Sequence, residues 1–98
     1  MLDLELLRSF VSVVDAGGFT RAGQRLHRTQ PAISRRLNIL EHELGAPLFE
    51  RIRGNARLTE AGRTFLPHAE AALAALKDGR EVVRGLHGGM HGVVSLAL

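Results

Sequence analysis

The residues best equipped for chemistry lie in one run, Thr29-Gln30-Pro31-Ala32-Ile33-Ser34-Arg35-Arg36. On a helix, the Gln30 amide can offer adenine N6 and N7 a bidentate contact, and Pro31 and Ala32 offer apolar surface to a thymine methyl. Ser34 follows one turn after Gln30 and Pro31, where its hydroxyl can reach a phosphate. Arg35 and Arg36 point about 100° apart, so they cannot both face a groove. Thr29 suits the N-cap position, from which the helix start also presents backbone N–H groups to phosphate. This is recognition by hydrogen bonds, not bond making. The 98 residues include no cysteine, and they show no paired carboxylates, phosphate-binding glycine loop or nucleophile arrangement. His27, His42 and His68 are dispersed, and Gly88-Gly89 interrupts the helical spacing of His87 and His91. A metal site, a cofactor and an enzyme are all disfavoured.

Charge points the same way. The net charge is +3, but the segment from Arg21 to Arg57 holds eight arginines against Glu41, Glu43 and Glu50. That makes +5 in the middle and −2 elsewhere. Clustered positive charge fits a polyanion and, taken alone, a membrane surface as well. Arginine outnumbers lysine twelve to one. Its planar fork suits phosphate and guanine edges, although a GC-rich genome gives the same bias. The Met90–Leu98 stretch is too short to span a bilayer, and the N-terminus lacks the basic flank of a secretory signal. A cytoplasmic protein is the expectation.

The elements that must position these residues are mostly helical. Leu4, Leu7, Phe10, Val11 and Val14 recur at helical steps, and Leu6 and Val13 widen the stripe toward a second contact surface. Gly17-Gly18 ends this helix, and Thr20 is placed to cap a short one from Arg21 to about His27. After a bend at Arg28, Thr29 and Pro31 open a third helix with Ile33, Leu37, Leu40 and Leu44 on its apolar face, stopped by Gly45. Together these make a helix-turn-helix. The period then changes. Leu48, Phe49 and Ile52 read as a strand, Gly54-Asn55 as a turn and Ala56-Arg57-Leu58 as the return, a hairpin wing. Arg51 and Arg53 share strand parity, and one of them can enter a minor groove. Arg51 can equally pair with Glu50 or Glu41. A last helix starts at Thr59 and runs to about Leu86, some 40 Å. Phe65, Ala69, Ala72, Leu76 and Val83 follow near-heptad steps along it, and a stripe this long asks for the same helix of a second copy.

In order and spacing, Phe10, Ala16-Gly17-Gly18-Phe19, Ala22, Leu26, Thr29–Arg35, Leu40-Glu41, Leu44-Gly45, Leu48-Phe49-Glu50-Arg51 and Leu58-Thr59-Glu60-Ala61-Gly62 resemble the N-terminal part of LysR-type bacterial transcription regulators. The resemblance spans nearly the whole chain. It implies a winged helix-turn-helix over 1–58, a dimerising linker helix over 59–88, and over 89–98 the start of an α/β effector-binding domain. It also implies binding of double-stranded operator DNA at an interrupted inverted repeat, by a homodimer that becomes a tetramer in the full protein. A small-molecule effector would bind only the C-terminal domain. The resemblance favours Arg35 as the groove reader and Arg36 as a backbone contact. Arg28 stands where the family often has a small apolar residue, Thr29 replaces the commoner serine and keeps its hydroxyl, and the wing tip Arg53-Gly54-Asn55 falls in a region the family varies freely. The competing reading keeps the same fold as an interaction module without DNA binding, and it differs in making Gln30, Ser34 and Arg35 dispensable.

Overall fold

The computed structural model describes residues 3–52 and 55–88. Asp3 accepts a hydrogen bond from the Glu5 N–H and so caps α1, Leu4–Ala16. Gly17 ends it in the left-handed region (φ 82°), which glycine enters without a Cβ clash. Helix α2 covers Phe19–Leu26, α3 Gln30–Leu44, β1 Phe49–Ile52, β2 Asn55–Leu58 and α4 Glu60–Gly88. The fold class is the expected one: mostly helical, with a two-stranded antiparallel hairpin.

The stripe read from α1 shifts in the folded chain. Leu6, Leu7, Phe10, Val13 and Ala16 are buried, while Leu4 is exposed and Val11 and Val14 are half-buried. The buried arc is wide because α1 packs on α2 and α3 and also on α4. Its second contact surface lies within the same chain. Ser9 is fully buried beside it, and its hydroxyl donates to the Glu5 carbonyl one turn back, which satisfies the group without a tertiary partner.

Helix α2 begins at Phe19 rather than after Thr20, and its cap, Gly18, makes no side-chain hydrogen bond. Burial of the Phe19 ring draws this residue into the first turn. The helix ends at His27, the one non-glycine residue with positive φ (57°) among the described residues. The next N–H, of Arg28, returns to the Gly23 carbonyl at 2.7 Å. That return leaves no room at position 23, where a Cβ would stand 2.5 Å from the Arg28 carbonyl oxygen. The tight turn of the helix-turn-helix therefore depends on a glycine inside α2.

Helix α3 is anchored by Ile33, Leu37 and Leu40, each fully buried, and ends at Gly45 in the left-handed region. In the hairpin, Phe49 pairs with Leu58 and Ile52 with Asn55, so Asn55 belongs to the returning strand and not to the turn. Leu48 precedes the strand and is fully buried. Arg53 and Gly54 lie outside the described residues, as does the expected start of an effector-binding domain over 89–98. Thr59 starts α4: its hydroxyl accepts from the Gly62 N–H at 3.0 Å and donates to the Pro47 carbonyl at 2.7 Å. The first half of α4 packs on the core through Ala61, Phe65, Leu66, Ala69 and Leu73. The core thus crosses the expected boundary at Leu58. Beyond Leu73 the helix is exposed through Gly85.

Gly23→Ala is expected to destabilise the chain by about 2 kcal/mol through forced backbone displacement, measured by urea unfolding. An exposed glycine with open space, such as Gly79, should gain stability from the same change.

Candidate nucleic-acid interface

The start of α3 is built from its cap outward. The Thr29 hydroxyl accepts from the Ala32 N–H at 3.3 Å, and the Thr29 carbonyl accepts from the Ile33 N–H. Pro31 has no N–H to offer. Among the first four helical residues, the Gln30 N–H is thus left without a partner, so the helix start presents one free backbone donor rather than several.

Gln30, Pro31 and Arg35 are exposed, and Ala32 and Ser34 are half-buried. The Gln30 amide nitrogen donates to Ser34 Oγ at 2.8 Å. Arg35 makes no hydrogen bond or ion pair among the described residues. Arg36 is committed elsewhere. Its guanidinium pairs with Glu5 at 3.1 Å and is only 23% exposed, tying α3 to α1 while Glu5 also holds Arg8. The two consecutive arginines therefore divide as their angular separation requires, one outward and one inward.

Arg51 stays exposed, and it pairs with neither Glu50 nor Glu41. On β1 it shares parity with Phe49, and from its exposed position its guanidinium lies 4.4 Å over the Phe19 ring. It donates to Asn38 Oδ1 at 3.3 Å, which joins the wing to the middle of α3. Glu41 instead organises backbone. Its carboxylate accepts the N–H groups of Leu48 (2.7 Å) and Phe49 (3.2 Å) and fixes where the wing begins. Arg53, the expected contact of the wing tip, lies outside the described residues.

Two residues of this face carry no role in the sequence pattern above. Asn38 continues the row of Gln30 and Ser34 at four-residue spacing, and Ile39 is an apolar side chain left 46% exposed on the same helix. Both leave a signal, since neither belongs to the Ile33–Leu37–Leu40–Leu44 stripe. The remaining arginines of the basic segment, Arg21, Arg25, Arg28 and Arg57, are exposed.

The expected dimerisation stripe needs correction. Phe65 packs on Phe10 (ring centroids 5.6 Å) and Ala69 is buried in the core, so both serve the chain's own fold. Ala72, Leu76 and Val83 remain exposed, Leu76 at 50% and Val83 at 52%, with Val82 beside them at 65%. The heptad spacing merged two faces, because the first half of α4 leans on α1. No metal-ligating cluster occurs among the described residues, and none of their helices is long and apolar enough to cross a membrane.

Three helices with a reading-type helix at their edge, a hairpin beside it and a long helix behind define a winged helix-turn-helix. Residues 4–63 match the lysR family of bacterial regulatory helix-turn-helix proteins. The chain belongs to that family. It is 45% identical over 96 residues to an HTH-type transcriptional regulator of the ibpB-leuC intergenic region of Azotobacter vinelandii, covering 98% of this chain and 67% of that protein. To the HTH-type transcriptional regulator IlvR of Caulobacter vibrioides it is 41% identical, covering 98% of this chain and 32% of IlvR. The chain thus spans about a third of that relative's length. Among solved structures, the DBD of CbnR in complex with DNA superposes with a TM-score of 0.81 at 34% identity, over 88% of this chain and 99% of that one. The BenM DBD bound to benA site 1 DNA gives 0.82 at 33% identity, over 90% and 99%.

Removing the Glu41 carboxylate leaves two backbone donors without an acceptor, so Glu41→Ala is expected to cost about 2 kcal/mol. Arg51→Ala loses a partly solvated cation–π contact and one hydrogen bond, with an expected cost of about 1 kcal/mol. Parallel denaturant titrations of the two variants check this order.

Proposed function

We propose that this chain is the DNA-binding part of a bacterial transcription regulator and reads duplex DNA through the first two turns of α3. The observation that carries the reading is the division of labour on that helix. Ile33, Leu37 and Leu40 hold it in the core, while Gln30, Pro31 and Arg35 stand exposed and add nothing to the packing. The likeness to the CbnR and BenM DNA complexes supports placing that face in a major groove. In this reading Gln30 contacts adenine, Pro31 and Ala32 meet a thymine methyl, and Arg35 enters the groove. Thr29 directs the free Gln30 N–H toward a phosphate. Arg36 and Arg51 support the frame through Glu5, Asn38 and Phe19, and Arg53 is the wing's candidate for the minor groove.

The chain acts as a homodimer in this reading, because Ala72, Leu76 and Val83 form an apolar row that its own core does not cover. Two copies then present their reading helices to successive major grooves of an interrupted inverted repeat, about 34 Å apart. In a protein as long as IlvR, an effector-binding domain follows α4, takes the small molecule and supplies the second interface of a tetramer. The working compartment is the cytoplasm, where its DNA lies.

Gln30→Ala and Arg35→Ala are each expected to cost roughly 1–3 kcal/mol of binding to a selected operator while leaving random-duplex affinity nearly intact. Fluorescence anisotropy at several salt concentrations measures both. Equal affinity of the unsubstituted chain for operator and random duplex would sink sequence-specific reading.

The dimer is tested separately. Leu76→Glu should shift the sedimentation coefficient from dimer to monomer with the unfolding midpoint of the helix-turn-helix retained. An unchanged dimer would place the interface elsewhere.

A further inference from the structure

We propose that Gly79 sets the register of the homodimer: Leu76 of each copy seats on the bare backbone at Gly79 of the other, in an antiparallel pair of α4 helices. The inference rests on the dimer reading above and deepens it. Glycine inside a helix is destabilising relative to alanine, because it loses more backbone freedom on folding. Gly23 and Gly62 have a reason within the chain, since a Cβ at either would collide with backbone. Gly79 has none. It lies midway along the exposed half of α4, and a Cβ there would meet nothing within 4 Å. Gly85 is equally open, but it lies in the last turn of α4 and on the opposite side of the helix from Leu76.

The neighbours of Gly79 say what covers it. Ala72, Leu76, Gly79 and Val83 alternate steps of four and three residues, the spacing of a coiled-coil seam. Leu76 and Val83 are large, apolar and exposed, and Val82 flanks them on the same stretch. Small and large side chains take turns along this seam. An antiparallel pair that sets Leu76 against Gly79 also sets Val83 against Ala72 by the same offset, and brings Val82 beside Ala75. Each large side chain then meets a small one, and two-fold symmetry repeats the match. A parallel pair would set Gly79 against Gly79 and Leu76 against Leu76. That leaves a void in one layer and holds the helices apart in the next. One stretch of one helix thus carries both halves of the fit, so a second copy is the occupant.

The sequence contains no cysteine, so introduced thiols report the register without interference. The full chain carrying Ala72→Cys is mixed with the full chain carrying Val83→Cys under mild oxidation. The mixture is expected to give a disulfide-linked dimer, because the two positions face each other at about the 6 Å Cα separation that a disulfide spans. Either variant alone should stay unlinked, since its two thiols lie about 16 Å apart along the helix axis. Linking by either variant alone overturns the inference, and so does a dimer that the mixture fails to link.

Gly79→Ala separates close contact from helix propensity by the sign of its effect. At concentrations where the chain is monomeric, it should raise the thermal midpoint. Sedimentation equilibrium should show the dimer weakened by about tenfold, because the added methyl lies under Leu76 of the other copy. In a Leu76→Ala background the same change should weaken the dimer much less. Equal or tighter dimerisation of Gly79→Ala overturns the inference. A chain that is monomeric at every concentration overturns the dimer reading, and the inference falls with it, whereas a dimer in another register leaves that reading standing.

Discussion

One continuous line of aromatic rings holds the molecule together. The chain has four phenylalanines, and all four are in it. Phe65 of α4 meets Phe10 of α1 at 5.6 Å, Phe10 meets Phe49 of β1 at 5.4 Å, and Phe49 meets Phe19 of α2 at 5.6 Å. The Arg51 guanidinium closes the end of the line over Phe19. Tilted and edge-on rings at such distances add specific geometry to the burial of large apolar surface. A domain this small has few residues available for its core, and this arrangement lets four side chains join three helices and the wing. The wing is consequently part of the core rather than an appendage.

Around that line, polar groups set the distances. Glu41 fixes the entry to β1, Thr59 joins the start of α4 to Pro47, and the Glu5–Arg36 pair ties α1 to α3. That partly solvated ion pair contributes little to stability by itself. Its effect is to withdraw Arg36 from the surface of α3. Gly62 is a further fixed point: a Cβ there would collide with the Leu48 carbonyl and the Leu58 side chain, so α4 approaches the wing only through a glycine.

Much of this was legible in the residues. The left-handed glycines at 17 and 45, the Thr29 and Thr59 caps, and the α3 stripe all follow from local rules, and local rules need no knowledge of partners. What escaped depended on tertiary choice. Thr20 looked like a cap, but burial of Phe19 moved the helix start back. Phe65 and Ala69 kept heptad spacing with Leu76 and Val83, yet α1 claims the first two and leaves the others exposed. Arg51 reads as a minor-groove contact or a partner of Glu50 or Glu41, and its contacts with Phe19 and Asn38 are in neither reading. In each case periodicity showed that a face was needed but not which neighbour would take it.

The separation on α3 between side chains that hold and side chains that face outward bears on how such a protein changes over generations. Ile33, Leu37 and Leu40 cannot vary without disturbing the core, whereas Gln30 and Arg35 touch no part of it. Replacements at the outward positions are therefore close to neutral for folding, so this surface can be rewritten without crossing an unstable intermediate. The Gln30–Ser34 hydrogen bond is the exception on this face. There, two positions share a contact, so a change at one alters the surroundings of the other.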